Sequence, residues 1–135
     1  CFPVWELKFT KMPDDLHRIA TERVKWSHKY QRKHGIQADA AKRLSEELRT
    51  RIYRVCRRVY RTLELSGYAR IDLRLARDGR FYVLEANPNP QIAFGEDFAE
   101  SAERAGLSYE TLLQRIMNVG LRWRPEHKGW SMRGS

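Results

Sequence analysis

The sequence predicts an α+β fold: an antiparallel sheet containing a hairpin, flanked by helices, one of them long. Three observations predict it. Ala41, Leu44, Leu48, Ile52, Val55, Val59 and Leu63 keep helical spacing over about six turns. Two alternating runs, 69–76 and 80–87, meet at Asp78-Gly79, a strong short hairpin signal. Two shorter helical patterns then follow.

Taken in order, residues 2–9 alternate around Phe2, Val4 and Leu7 and read as a strand. Lys11-Met12-Pro13-Asp14-Asp15 reads as a turn. The stretch 19–35 is mixed and basic and shows no period. Asp39 is placed to cap the long helix, and Ser66-Gly67 supplies its stop. Pro88 and Pro90 end the sheet pairing, because proline has no N–H for the ladder. Residues 97–104 form a helix ended by Gly106. Ser108 caps a last helix carrying Leu112, Leu113, Ile116 and Met117. Periodicity stops after Trp123, so 1–123 is read as one domain and 124–135 as a flexible tail.

Composition narrows the function classes. A chain of 135 residues with 41% hydrophobic content buries a core without disulfides or structural metal, so a soluble globular class is expected. No apolar run approaches the roughly 18 residues that would span a membrane. Cys1 and Cys56 have no metal-type spacing, and Cys56 falls in the long helix as an ordinary thiol. A cytoplasmic location is expected from that cysteine usage. A net charge of +9 favours anionic partners without choosing among them. The start lacks both Met and a secretory pattern, which suggests a piece of a longer polypeptide.

The hairpin carries the chemistry. With Asp78-Gly79 as a two-residue turn, Arg77 pairs with Arg80. Leu75 then faces Tyr82, Leu73 faces Leu84 and Ile71 faces Ala86, an apolar face expected to be buried. On the other face Arg74 meets Val83, Asp72 meets Glu85 and Arg70 meets Asn87, with Phe81 sharing that side. Opposed carboxylates are destabilising unless something positive lies between them. Arg70 and Arg74 are close enough to help, and a bound cation would serve better. Asp72, Glu85 and the Asn87 amide are hard oxygen donors with no His or Cys beside them. Such a set suits Mg²⁺ or Mn²⁺ rather than zinc. A solvated charged strand face is the alternative.

Gly67-Tyr68-Ala69-Arg70-Ile71-Asp72-Leu73-Arg74-Leu75, Asp78-Gly79 and Tyr82-Val83-Leu84-Glu85-Ala86-Asn87-Pro88-Asn89-Pro90 together resemble the metal segment of D-alanine–D-alanine ligases and their ATP-grasp relatives. The resemblance runs from about 41 to 123 and implies the C-terminal part of an ATP-grasp domain. It also implies roles. Asp72 and Glu85 would bind magnesium, with Glu85 shared between two ions and Asn87 on the second. Arg70 would contact the transferring phosphate. Lys25-Trp26 resembles a Lys-aromatic pair that reaches the terminal phosphate of ATP. The implied reaction phosphorylates a small carboxylate with ATP and lets an amine attack the acyl phosphate. Two departures stand out. Asn87-Pro88-Asn89-Pro90-Gln91-Ile92 replaces the family's small-residue, glycine-containing acceptor segment, which leaves the acceptor open. The N-terminal half and the glycine-rich loop with its nucleotide-gripping lysines are missing. The isolated chain is therefore expected to be inactive. The sequence leaves the oligomeric state open.

Arg51, Arg54, Arg58 and Arg61 repeat along the long helix. They offer a rival reading, a basic nucleic-acid-binding module, against a plain solvated helix face, which is the commoner reason for such a stripe. The histidines and the remaining tryptophans have no ligand or stacking pattern.

Overall fold

The fold is described here from a computed structural model, which covers residues 1–124 apart from the Trp26 side chain. The chain runs β1 (Trp5–Phe9), α1 (Glu22–Trp26), α2 (His28–His34), β2 (Ile36–Ala40), α3 (Glu46–Thr62), β3 (Arg70–Leu75), β4 (Phe81–Asn87), α4 (Asp97–Arg104) and α5 (Tyr109–Arg122). The expected α+β class holds. The antiparallel strands form two separate two-stranded sheets, β1–β2 and β3–β4. The expected 124–135 tail lies outside the described residues except for Arg124.

The stretch that showed no period is built from caps. Thr21 accepts from the Val24 N–H to start α1, and Ser27 accepts from the Tyr30 N–H to start α2. Gly35 ends α2 in the left-handed conformation at φ 58° and turns the chain straight into β2. β2 then pairs antiparallel with β1, Trp5 opposite Ala40 and Phe9 opposite Ile36. Met12, Val24 and Ile36 are buried together behind this sheet, with Phe9 and Tyr30 packed against them.

Two expectations about the long helix are corrected. Asp39 is not its N-cap. It lies in β2, held by Lys42 at 3.1 Å and Arg104 at 3.6 Å. The cap is Ser45, whose hydroxyl accepts from the Leu48 N–H, with Glu46 and Glu47 in the first turn. Ala41 and Leu44 fit the helical spacing but precede the helix. The stop also comes before Gly67. Glu64 takes φ 50°, its N–H donates to the Arg61 carbonyl, and the Leu65 N–H reaches the Tyr60 carbonyl. That is a Schellman ending built on a non-glycine residue.

The last two helices follow the sequence reading. α4 ends at Gly106, φ 81°, with the Leu107 N–H bonded to the Ala102 carbonyl. Ser108 caps α5 through the Thr111 N–H. Ala99, Ala102 and Leu112 form a second buried cluster between these helices. The N-terminal segment is fastened to it. Phe2 meets Phe98 edge-on at 5.6 Å, and the Ser101 hydroxyl donates to the Pro3 carbonyl at 2.8 Å.

Candidate functional site

The hairpin forms, but its turn is one residue longer than Asp78-Gly79 alone requires. Ala76 and Arg80 close a three-residue loop. The Gly79 N–H donates to the Ala76 carbonyl, and the Ala76 N–H donates to the Arg80 carbonyl. This is a type I-like turn followed by a left-handed residue, and Gly79 at φ 79° supplies it. Asp78 holds the turn by accepting from the Arg80 backbone N–H at 3.0 Å and from its guanidinium at 2.6 Å. Those two donors, the backbone one foremost, lower the Asp78 carboxyl below the ordinary range.

The longer loop moves the outer register by one residue. Leu75 pairs with Phe81, Arg74 with Tyr82 and Leu73 with Val83. A bulge between Asp72 and Leu73, with Leu84 as the extra residue on β4, then moves it back. Beyond the bulge Asp72 faces Glu85, Ile71 faces Ala86 and Arg70 faces Asn87, as the sequence predicts. The expected pairs Leu75–Tyr82, Leu73–Leu84, Arg74–Val83 and Arg77–Arg80 are corrected. The faces of 81–83 reverse as well. Phe81 and Val83 join Ile71, Leu73 and Leu75, while Tyr82 joins Arg74 and Asp72. The expected burial of the apolar face also fails. Leu75 is 42% exposed, Tyr82 46% and Leu84 66%.

The inner end of the hairpin collects four of the five predicted site residues. Arg70 folds onto Asp72, with Nε to Oδ1 at 2.9 Å and Nη2 to Oδ2 at 3.2 Å. That guanidinium pairs with Asp72 alone and does not bridge the two carboxylates. Its Nη1 makes no hydrogen bond among the described residues. The Glu85 side chain is exposed and has no hydrogen-bond or ion-pair partner among the described residues. The Asn87 amide oxygen accepts from the Asn89 N–H at 2.9 Å, an Asx turn that leaves it one lone pair. Asn89 is held in turn by the Tyr68 hydroxyl at 2.8 Å. Sequence reasoning passed over Tyr68 and Asn89; the Asn-x-Asn spacing after the strand was the available signal.

Lys25 stands apart from this group. It lies exposed on α1, its carbonyl accepting from Gln31 Nε2, and its ammonium enters no ion pair among the described residues. The Trp26 side chain lies outside what the structure describes. One bond ties the segment before α1 to the hairpin: Arg74 Nη1 donates to the Arg18 carbonyl at 2.6 Å.

The donor set fits a hard divalent cation. The register puts two carboxylates and an amide oxygen on one face at the inner end of the hairpin, and one carboxylate is already oriented by a guanidinium. Among the described residues no three His, Cys, Asp or Glu side chains gather, so a closed all-protein cage is not offered. An open site of this kind leaves positions for water and phosphate oxygens. The arginine stripe on α3 is interrupted. Arg51 donates to the Gly79 carbonyl at 3.0 Å and stands 5.1 Å from the Phe81 ring centre, so it braces the hairpin turn. Cys56 is a free thiol, pushed above its ordinary range by burial. No helix among the described residues is long and apolar enough to cross a membrane.

The family model described as D-ala D-ala ligase C-terminus matches residues 14–118. The bifunctional enzyme MurC/Ddl of Chlamydia caviae is 36% identical over 78 residues, 58% of this chain and 10% of that protein. A D-alanine–D-alanine ligase of Bacillus anthracis is 36% identical over 83 residues, 62% of this chain and 27% of that one. The crystal structure of the Bacillus anthracis D-alanine–D-alanine ligase complexed with ATP matches with a TM-score of 0.60 at 32% identity. That match covers 64% of this chain and 30% of that one. The chain thus spans under a third of each of these relatives.

Proposed function

The chain belongs to the D-ala D-ala ligase C-terminal family, and from that premise we propose that it is part of an ATP-dependent carboxylate–amine ligase and carries that enzyme's magnesium–nucleotide hairpin. The observation that carries this reading is Asp72 directly opposite Glu85, with only Asp72 paired to a cation among the described residues. Asp72 and Glu85 would hold magnesium, Glu85 bridging two ions, and Asn87 would complete the second. Manganese would suit the same oxygens. Bound there, the metal would neutralise the polyphosphate of ATP. Arg70 would orient Asp72 through Nε and Nη2 and offer Nη1 to the transferring phosphoryl group. Lys25 would reach the terminal phosphate from α1. The reaction would activate a small carboxylate as its acyl phosphate and pass it to an amine. The Pro88-Asn89-Pro90 run leaves the identity of that amine open.

The cytoplasm would supply the ATP that this reading requires. Because the chain covers only part of its relatives, activity is assigned to the longer parent enzyme, and this chain alone is expected to be inactive. Calorimetric titration of the parent enzyme with ADP, with and without Mg²⁺, tests the reading. Magnesium-dependent binding should disappear in Glu85→Ala. Binding that ignores this substitution would overturn the metal assignment, and brisk ligation by the 135 residues alone would overturn the division of labour.

A further inference from the structure

A cavity with basic side chains in its wall lies away from the hairpin, which contributes none of its lining residues. A cavity of about 450 Å³ opens between the end of β1, α2 and the start of β2. That is within the range of small-ligand pockets, roughly 300–1,000 Å³. One face of α2 presents His28, Gln31 and Arg32 to it, at the i, i+3, i+4 spacing that puts side chains on one side of a helix. Thr10 and Lys11 line it from the residues just after β1, and Gln37 from β2. Among the described residues no carboxylate lines the cavity. Lys11 and Arg32 enter no ion pair among the described residues, whereas Lys8, Arg18, Lys42, Arg49, Arg70, Arg80 and Arg104 all do.

The wall is built rather than incidental. Thr10 bonds the Gly35 carbonyl through both its N–H and its hydroxyl, and the Lys11 N–H bonds the His34 carbonyl. A Cβ at Gly35 would stand 2.2 Å from the Thr10 hydroxyl, so only glycine allows the strand to close this near α2. Gln31 is held by the Val24 carbonyl at 2.8 Å, and its amide oxygen meets His28 Nδ1 at 3.3 Å. His28 Nε2 makes no hydrogen bond among the described residues. The free groups are therefore one guanidinium fork, one ammonium, an imidazole nitrogen and the Gln37 amide. A cavity of this size lined by donors and lacking acceptor carboxylates selects a compact multivalent anion, not an apolar molecule.

We propose that Lys11, Arg32 and His28 form a binding site for a compact polyphosphate group, separate from the hairpin. The inference does not rest on the ligase reading. Tripolyphosphate titrated into ¹⁵N-labelled full chain should give saturable shifts at the Thr10, Lys11, Gln31 and Gln37 amides. Arg32→Gln and Lys11→Gln should each weaken binding about tenfold. Both side chains are exposed, so the fold should survive, and the amide spectrum reports it directly. Glu85→Ala should leave the affinity unchanged. Arg58→Gln removes the same charge from an exposed position on α3 and should also leave it unchanged. Shifts that never saturate, affinity unaltered in both cavity variants, or an equal loss in Arg58→Gln would each overturn the site.

Discussion

The two sheets pose the same electrostatic problem and solve it differently. In each, a carboxylate stands opposite a carboxylate: Glu6 across from Asp39 in β1–β2, and Asp72 across from Glu85 in β3–β4. In the first sheet both acids have cations of the chain's own, Lys8 for Glu6 and Lys42 with Arg104 for Asp39. In the second, Arg70 serves Asp72, and Glu85 has no partner among the described residues. Opposed acids alone therefore do not mark a metal site. The informative feature is the acid that has no cation of its own among the described residues.

Packing separates the two sheets in the same sense. β1–β2 has Met12, Val24 and Ile36 buried behind it. No residue of β3 or β4 is fully buried. One sheet is a foundation and the other a presented surface.

Substitutions can break this contrast. The largest effect should come from Glu85→Ala in the parent enzyme, at least about a hundredfold loss of kcat/KM together with loss of magnesium-dependent nucleotide binding. Glu6→Ala, the corresponding change in the other sheet, should leave both intact; steady-state kinetics and calorimetry decide. Next, Ile36→Ala should cost about 2–4 kcal/mol in urea unfolding, because it empties a buried site. Leu75→Ala, already 42% exposed, should cost less than about 1 kcal/mol. Comparable losses at both positions would erase the distinction between foundation and surface.

The glycines sharpen the comparison further. Gly35 and Gly79 share a left-handed conformation, but an added Cβ at Gly79 meets nothing within 4 Å. Gly79→Ala should cost only the conformational penalty, about 1–2 kcal/mol. Gly35→Ala should cost distinctly more, since Thr10 must also move, and thermal melts compare the pair. The smallest effect concerns acid titration in β1–β2. The Lys42 ammonium, and after it the Ala40 N–H, lower the Asp39 carboxyl below its usual value. Asp39 then contributes stability that is fully present above the unfolded carboxylate pKa of about 3.9 and is lost as pH falls through the lower folded value. Lys42→Met should shift the Asp39 carbon-13 titration upward. An unmoved curve would show that the ion pair does not form in solution.

Much of the presented sheet was legible in the sequence, because its two strands lie within one turn of each other. Asp78-Gly79 and the alternation on either side suffice to pair Asp72 with Glu85. The bulge was not legible. Nothing local distinguishes a two-residue turn from a three-residue turn that borrows Arg77, and the choice depends on contacts such as Arg51 over Phe81. The foundation sheet was harder to read. β2 finds its partner across two helices, and a strand of five residues leaves little alternation to detect. Asp39 looked like a cap because Ala41 and Leu44 happen to continue the helical spacing. The stronger signal was Ser45 followed by Glu46 and Glu47.

The extra residue at Leu84 also bears on how this hairpin can vary. Twelve residues separate Asp72 from Glu85. An even number can close as a two-residue turn on an unbroken ladder, or as a three-residue turn with one bulge. Both arrangements keep the two acids in register, and they differ in which way residues 81–83 point. The bulge is thus a swivel that insulates the acidic end from the turn. Asp78→Asn, which favours the two-residue form, should rotate Phe81 away from Arg51 while Asp72 continues to face Glu85.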